Sequence, residues 1–219
     1  MPRLSTSTIH GLLDLTDNDM IVDQEPRAAN GSYYRFPRMN VAVTPSNLPP
    51  PWTDVDIGQP ETPGNATYAN GTFTVLGSGS NLTDDVSSGD EPDQFNLASE
   101  YFTGDGSITA EIDSVNDDQG YNAGLMFRQT DDPSSPFVAV WFSPGGLYFG
   151  YRTTEDGVMD YASCTQVNQS IPGWLQLVNN GGVFTAFYST DDSNWTEIGS
   201  ATVSSLASSS EVGLFNWKV

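Results

Sequence analysis

The chain is poor in the residues that most often carry chemistry. Cys164 is its one cysteine and His10 its one histidine among 219 residues. A lone cysteine excludes an internal disulfide, so the framework that staples small secreted domains is absent. A nucleophilic Ser or Cys needs a base beside it, and His10 stands beside Ile9 with no motif around it, which excludes a catalytic triad. Zinc is excluded for want of the same ligands. No apolar run of about 18 residues exists to cross a membrane as a helix. The first residues, MPRLSTSTIHGLLDL, lack the apolar core of a secretory signal, and Met1 favours a chain that is not exported alone.

Positive charge is scarce as well. Seven basic residues face 28 acidic ones for a formal net charge of −21, and Lys218 is the only lysine. Such a charge repels polyanions, so nucleic acid is excluded as a direct partner. It also costs folding stability through self-repulsion unless salt screens it. The acids are 20 Asp and 8 Glu, and an Asp-rich, nearly Lys-free surface suits molar salt, so a halophilic source is expected. The charge is also unevenly placed. Arg3, Arg27, Arg35 and Arg38 lie in residues 1–50, which sum to −1, and the other 169 residues sum to −20.

The rest of the composition is that of a globular protein, with 37% hydrophobic and 11% aromatic residues. Residues 1–50 read as an extended N-terminal docking arm ending in a Pro-rich linker at Pro45, Pro49, Pro50 and Pro51. Within it, Ile9 to Leu15 suggests one or two helical turns. Ser32–Val43 has the content of an extended strand that Pro37 confines to an edge. Residues 51–219 read differently. Tyr68–Phe73 around Asn70-Gly71 is a tight-hairpin signal, and Ser143–Gly146 and Asn179–Gly182 mark two more. Strands are predicted at 95–102, 107–115, 120–129, 137–142, 147–152, 174–178, 183–188, 195–203 and 212–219. No 3.6-residue apolar period persists over about ten positions, so the domain is all-β and antiparallel, a sandwich or barrel.

Several segments in order carry a resemblance: PPWTDVDIG (50–58), NGTFTV (70–75), GSG (77–79), GDGSITA (104–110), AGLMFR (123–128) and WTEIGSATV (195–203). Over about residues 50–216 the chain resembles the concanavalin A-like (laminin G-like) jelly-roll domain appended to secreted bacterial and archaeal polysaccharide-active and surface proteins. The resemblance implies a two-sheet antiparallel jelly-roll sandwich. That sandwich hosts lectins, hydrolases, adhesion modules and structural parts, so function has to come from the site. The arm has no counterpart in the family.

Four kinds of site are candidates. Glu111 and Asp113 share one face of a strand, as paired glycanase carboxylates do, but no third acid follows on that face; a hydrolase is not expected. Acid pairs at Asp84-Asp85, Asp117-Asp118, Asp131-Asp132 and Asp191-Asp192, with Asp90, Glu91 and Asp93, are solvated loop acids or the ligands of one structural calcium. Ser189–Trp195 (STDDSNW) resembles the Asp-box turn that braces a hairpin. For sugar, the hairpin from Val138 to Arg152 offers aromatic faces beside polar groups, with Arg128, Trp141, Tyr148 and Arg152 as expected contacts. N-x-S/T sequons stand at Asn30, Asn65, Asn70, Asn81, Asn168 and Asn194.

The expectation from sequence is a non-enzymatic, homo-oligomeric surface component of a larger assembly, with no cofactor and no membrane insertion. A capsid turret, decoration or fibre protein on the virion surface of a halophilic archaeal virus fits best. The sandwich would face solvent and host glycans. The arm, through Arg3, Arg27, Tyr33, Tyr34, Arg35, Phe36 and Arg38, would dock on other copies or on a shell protein. The alternative is an extracellular, free carbohydrate-binding protein of a halophile.

Overall fold

A computed structural model describes residues 12–13, 47–79, 82, 92–115, 120–160 and 171–218. The arm residues Arg3, Arg27, Tyr33, Tyr34, Arg35, Phe36 and Arg38 lie outside the described residues, as do the Ser32–Val43 segment, Asp84, Asp85, Asp90, Glu91, Asp117, Asp118 and Cys164.

Thirteen strands are described: β1 Leu12–Leu13, β2 Thr53–Ile57, β3 Asn65–Ala69, β4 Thr72–Leu76, β5 Phe95–Thr103, β6 Gly106–Ile112, β7 Tyr121–Arg128, β8 Phe137–Ser143, β9 Gly146–Arg152, β10 Gly173–Asn180, β11 Val183–Ser189, β12 Thr196–Thr202 and β13 Ser209–Lys218. They form two sheets. One runs β12-β11-β10-β6-β1-β4-β3 and the other β2-β5-β13-β7-β8-β9. Every pairing is antiparallel except those of β1, which lies parallel to both β4 and β6. Leu12–Leu13 is therefore strand where the sequence suggested helix. Extended backbone satisfies two open ladder edges at once, which one helical turn cannot. The last strand is central, with β5 and β7 on either side of β13.

Period-two alternation builds the space between the sheets. Leu175 and Leu177 of β10 and Ile108, Ala110 and Ile112 of β6 meet Val138, Val140 and Phe142 of β8 in one core. Alternation fails in β8, FVAVWF, where six successive residues are buried. The reason is a second apolar layer. Phe137, Ala139 and Trp141 point to the other face of the six-stranded sheet, where Phe95, Met126, Phe215 and Trp217 join Leu82 and Met159 from outside the strands. A sheet covered on both faces reads as a continuous apolar run.

The open edge between β2 and β3 is closed by carboxylates. Asp54 Oδ2 accepts from Ala66 N at 2.8 Å, and both oxygens of Asp56 accept from Gly64 N at 2.9 and 3.0 Å. Asn96 Nδ2 donates to both acids, at 2.9 Å to Asp54 and 3.2 Å to Asp56. Burial pushes the Asp54 carboxyl above its ordinary range; the bonds from Ala66 and Asn96 pull it back and the neighbouring Asp56 adds to the rise.

Turn chemistry follows the sequence closely. Asn70 (φ 53°) and Gly71 (φ 91°) make the two-residue turn between β3 and β4. In the β11–β12 turn, Asp191 Oδ1 accepts from Ser189 Oγ (3.0 Å), Ser193 N (3.0 Å) and Asn194 N (2.8 Å), and its Oδ2 accepts from Asn194 Nδ2 (2.7 Å). The Asp-box reading is thus the observed geometry, and the backbone and side-chain bonds from Asn194 hold the Asp191 carboxyl well below the usual range. These turns separate the sequons. Asn70 is exposed at a hairpin tip, Asn65 is 8% exposed, and the Asn194 amide nitrogen is held by Asp191. Incubating the folded protein with an oligosaccharyltransferase and a lipid-linked sugar donor is expected to modify Asn70 in preference to Asn65 and Asn194. Peptide mass mapping checks this, and equal occupancy at all three would refute it.

Candidate functional site

Four sugar contacts were expected, three on the β8–β9 hairpin and Arg128 on β7, and the structure takes two of them out of solvent entirely. Arg128 and Arg152 are 0% exposed. They flank Asp93, which precedes β5. Arg128 Nη1 donates to Asp93 Oδ2 at 2.8 Å, while Arg152 bonds both carboxylate oxygens, through Nη2 at 2.8 Å and Nη1 at 3.1 Å. Other donors turn to the loop after β7. Arg128 Nε reaches Thr130 O at 3.0 Å and its Nη2 reaches Asp132 O; Arg152 Nη1 reaches Ser135 O at 3.3 Å. The Phe137 ring lies 5.0 Å from the Arg152 guanidinium carbon and 6.0 Å from that of Arg128. Burial pushes the Arg128 pKa below its ordinary value, and the Asp93 carboxylate beside it acts in the opposite direction. A guanidinium so enclosed is a staple, not a ligand contact, and these two sites are corrected accordingly.

Trp141 is corrected for the same reason. It is 5% exposed and stacks on Tyr148, ring centroids 5.7 Å apart at 17°, and tilts against Trp217 at 5.9 Å. Tyr148 is half-buried at the end of this aromatic row. The face expected to hold sugar is filled by the protein's own second layer.

The staple positions what lies beside it. Ser134 O, next to the carbonyl held by Arg152, accepts from Asp156 N at 3.1 Å, so the loops after β7 and β9 are tied together. Asp132 Oδ1 closes the first loop by accepting from Ser134 N at 2.8 Å and Ser134 Oγ at 2.7 Å, and these bonds lower its pKa. In the second loop Asp156 takes φ 53° and the chain doubles back. Met159 then buries its side chain in the second layer, and Asp160 N donates to Tyr151 O at 3.0 Å. Tyr151 Oη donates in return to Asp160 Oδ2 at 2.8 Å.

The result is a pocket of about 620 Å³ lined by Tyr151, Thr153, Val158, Met159, Asp160 and Thr202. It sits where the edge strands β9 and β12 of the two sheets meet. Val158 is 57% exposed, and Thr153 and Thr202 present hydroxyls to solvent. An aromatic ring, an exposed aliphatic patch, a braced carboxylate and two hydroxyls suit a ligand that is apolar on one face and hydroxylated at its rim. None of these residues was singled out in the sequence. Tyr151 is one residue from Arg152 and so takes the opposite face, and Val158 in a polar turn was the one available signal.

The other candidates resolve locally. Glu111 is half-buried opposite Leu12 and Trp174, away from the pocket. The carboxylates of Asp132 and Asp191 brace turns, and among the described residues no group of three or more His, Cys, Asp or Glu is placed to hold a metal.

No family model matches the chain, and no curated protein does. Solved structures similar to it include a functionally unknown protein from Saccharomyces cerevisiae, with a TM-score of 0.54 and 14% identity over 74% of this chain and 91% of that one. The carbohydrate-binding module CBM66 from Bacillus subtilis has a TM-score of 0.47 and 17% identity, over 76% and 88% of the two chains. A Bauhinia forficata lectin in complex with GalNAc has 0.38 and 13%, over 77% and 92%. The fold is an antiparallel two-sheet sandwich, as the sequence resemblance implied.

Proposed function

We propose that this chain is a non-catalytic glycan-binding domain, and that the pocket at Tyr151, Val158 and Asp160 holds the sugar. The pocket's composition carries the reading: a ring locked by its own hydroxyl to a carboxylate, beside exposed aliphatic and hydroxyl groups. Locking matters because a pre-positioned side chain loses little entropy on binding. Isothermal titration against a panel of mono- and oligosaccharides tests it. Val158→Asp and Tyr151→Ala are each expected to weaken binding about tenfold or more, or about 1.4 kcal/mol, with the fold retained by circular dichroism. Absence of any sugar binding, or binding indifferent to both substitutions, would sink the proposal.

The wider setting is proposed from the sequence. An acidic sandwich displayed from a larger assembly, such as the virion surface of a halophile's virus, agrees with the −20 on residues 51–219 and the near-neutral arm. Leu12–Leu13 lies within the sandwich's own sheet, so the proposed docking segment is the rest of the arm. Deleting residues 16–45 tests it: the sandwich should stay folded and incorporation into the assembly should be lost.

A further inference from the structure

We infer that the pocket selects for sugars carrying an amine and rejects sugars carrying a carboxylate. The inference rests on the glycan-binding reading above and adds the chemical class of the ligand. Among the described residues, the exposed charges around the pocket are of one sign. Asp160 forms part of its wall, and exposed Glu155 and Asp156 stand on the same loop. Among the described residues, none that lines the pocket is basic. The nearest arginine among the described residues, Arg152, is 0% exposed and bound to Asp93 through two hydrogen bonds, so it does not offset the loop's charge at the surface. Beyond the loop, residues 51–219 carry −20.

Field and wall act together on a charged ligand. A uronate or sialate entering the pocket meets Asp160 at short range and the domain's negative potential at long range, and both oppose it. A protonated 2-amino-2-deoxy sugar meets the same groups with the sign reversed. A neutral hexose makes the ring, aliphatic and hydroxyl contacts alone. The order of affinity is therefore amino sugar, then neutral sugar, then uronate. The spacing between them must shrink with salt, since the screening length falls from about 10 Å at 0.1 M to about 3 Å at 1 M.

The test uses the full chain and the methyl glycosides of glucosamine, glucose and glucuronic acid, titrated at about 0.1 M and about 1 M NaCl with the fold monitored by circular dichroism. At the lower salt the glucosaminide is expected to bind about tenfold more tightly than the glucoside and the glucuronide about tenfold more weakly. At the higher salt both gaps should narrow. Asp160→Asn should remove most of the amine preference. Glu155→Gln with Asp156→Asn, at exposed positions where Asn also tolerates the positive φ, should remove part of it. Glucuronide binding as tight as glucoside, or an amine preference unchanged in both variants, overturns the inference while leaving glycan binding intact. Failure of all three glycosides, and of the wider sugar panel, overturns both.

Discussion

Asp93→Ala is expected to bring the protein to the edge of unfolding. Among the described residues its carboxylate is the acid bonded to both Arg128 and Arg152, and all three side chains are fully buried. Its removal leaves two buried cations in an apolar layer without the carboxylate they share. Breaking a buried ion network in this way costs about 3–5 kcal/mol, a large part of the ~5–15 kcal/mol that holds a typical domain. For a chain of this size the melting temperature should fall by roughly 10 °C. The comparison that isolates the cause is the triple replacement Asp93→Leu, Arg128→Met, Arg152→Met. With no ion left stranded it should lose less than Asp93→Ala alone, although the carbonyls of Thr130, Asp132 and Ser135 then lose their donors. Thermal melts of the two proteins decide the matter. An Asp93→Ala protein melting within about 2 °C of the parent would mean that the carbonyls suffice for the guanidiniums.

That staple also explains where sequence reading succeeded and where it stopped. Local signals were legible. Asn70-Gly71 sits where two positive φ angles are needed, Asp191 braces its hairpin, and Ile108, Ala110 and Ile112 take the core face of β6 while Glu111 turns away. The fold followed from such signals in order along the chain. The site did not, because an arginine reads as a surface residue unless its counter-ion is known, and Asp93 is 35 residues from Arg128 and 59 from Arg152. The same ambiguity misplaced Trp141: FVAVWF is compatible with one buried face or two, and only the covering layer around Met159 and Leu82 decides. The pocket at Tyr151 and Asp160 depends on a loop folded back over that layer, a contact that no periodicity encodes.

Stability is expected to rise steeply with salt and to peak below neutral pH, for reasons that can be separated. With Arg128 and Arg152 buried on Asp93, the exposed charges at Glu61, Asp105, Asp131, Glu155, Asp156 and Glu197 face little compensation among the described residues. Raising NaCl from about 0.1 M to about 3 M screens their mutual repulsion and should lift the melting temperature by roughly 10 °C. Acid acts through particular groups. The Asp54 carboxyl is raised above 3.8 by burial, so its charged form costs stability at neutral pH. That cost disappears as the pH falls through its folded value. Asp191 and Asp132 are lowered, so their contribution is intact above the unfolded value of 3.8 and is lost as the pH falls through their folded values. As the pH falls from neutral the relief at Asp54 comes first and stability should increase; below 3.8 the loss at Asp132 and Asp191 sets in and stability should decline. Melting curves across pH at low and high salt distinguish the contributions. Salt should flatten the part due to general repulsion yet leave the acid limb in place, because the Asp191 bonds are short-range and local. A melting temperature independent of salt would refute the repulsion argument, and an acid limb missing from the wild type would refute the role given to Asp191 and Asp132.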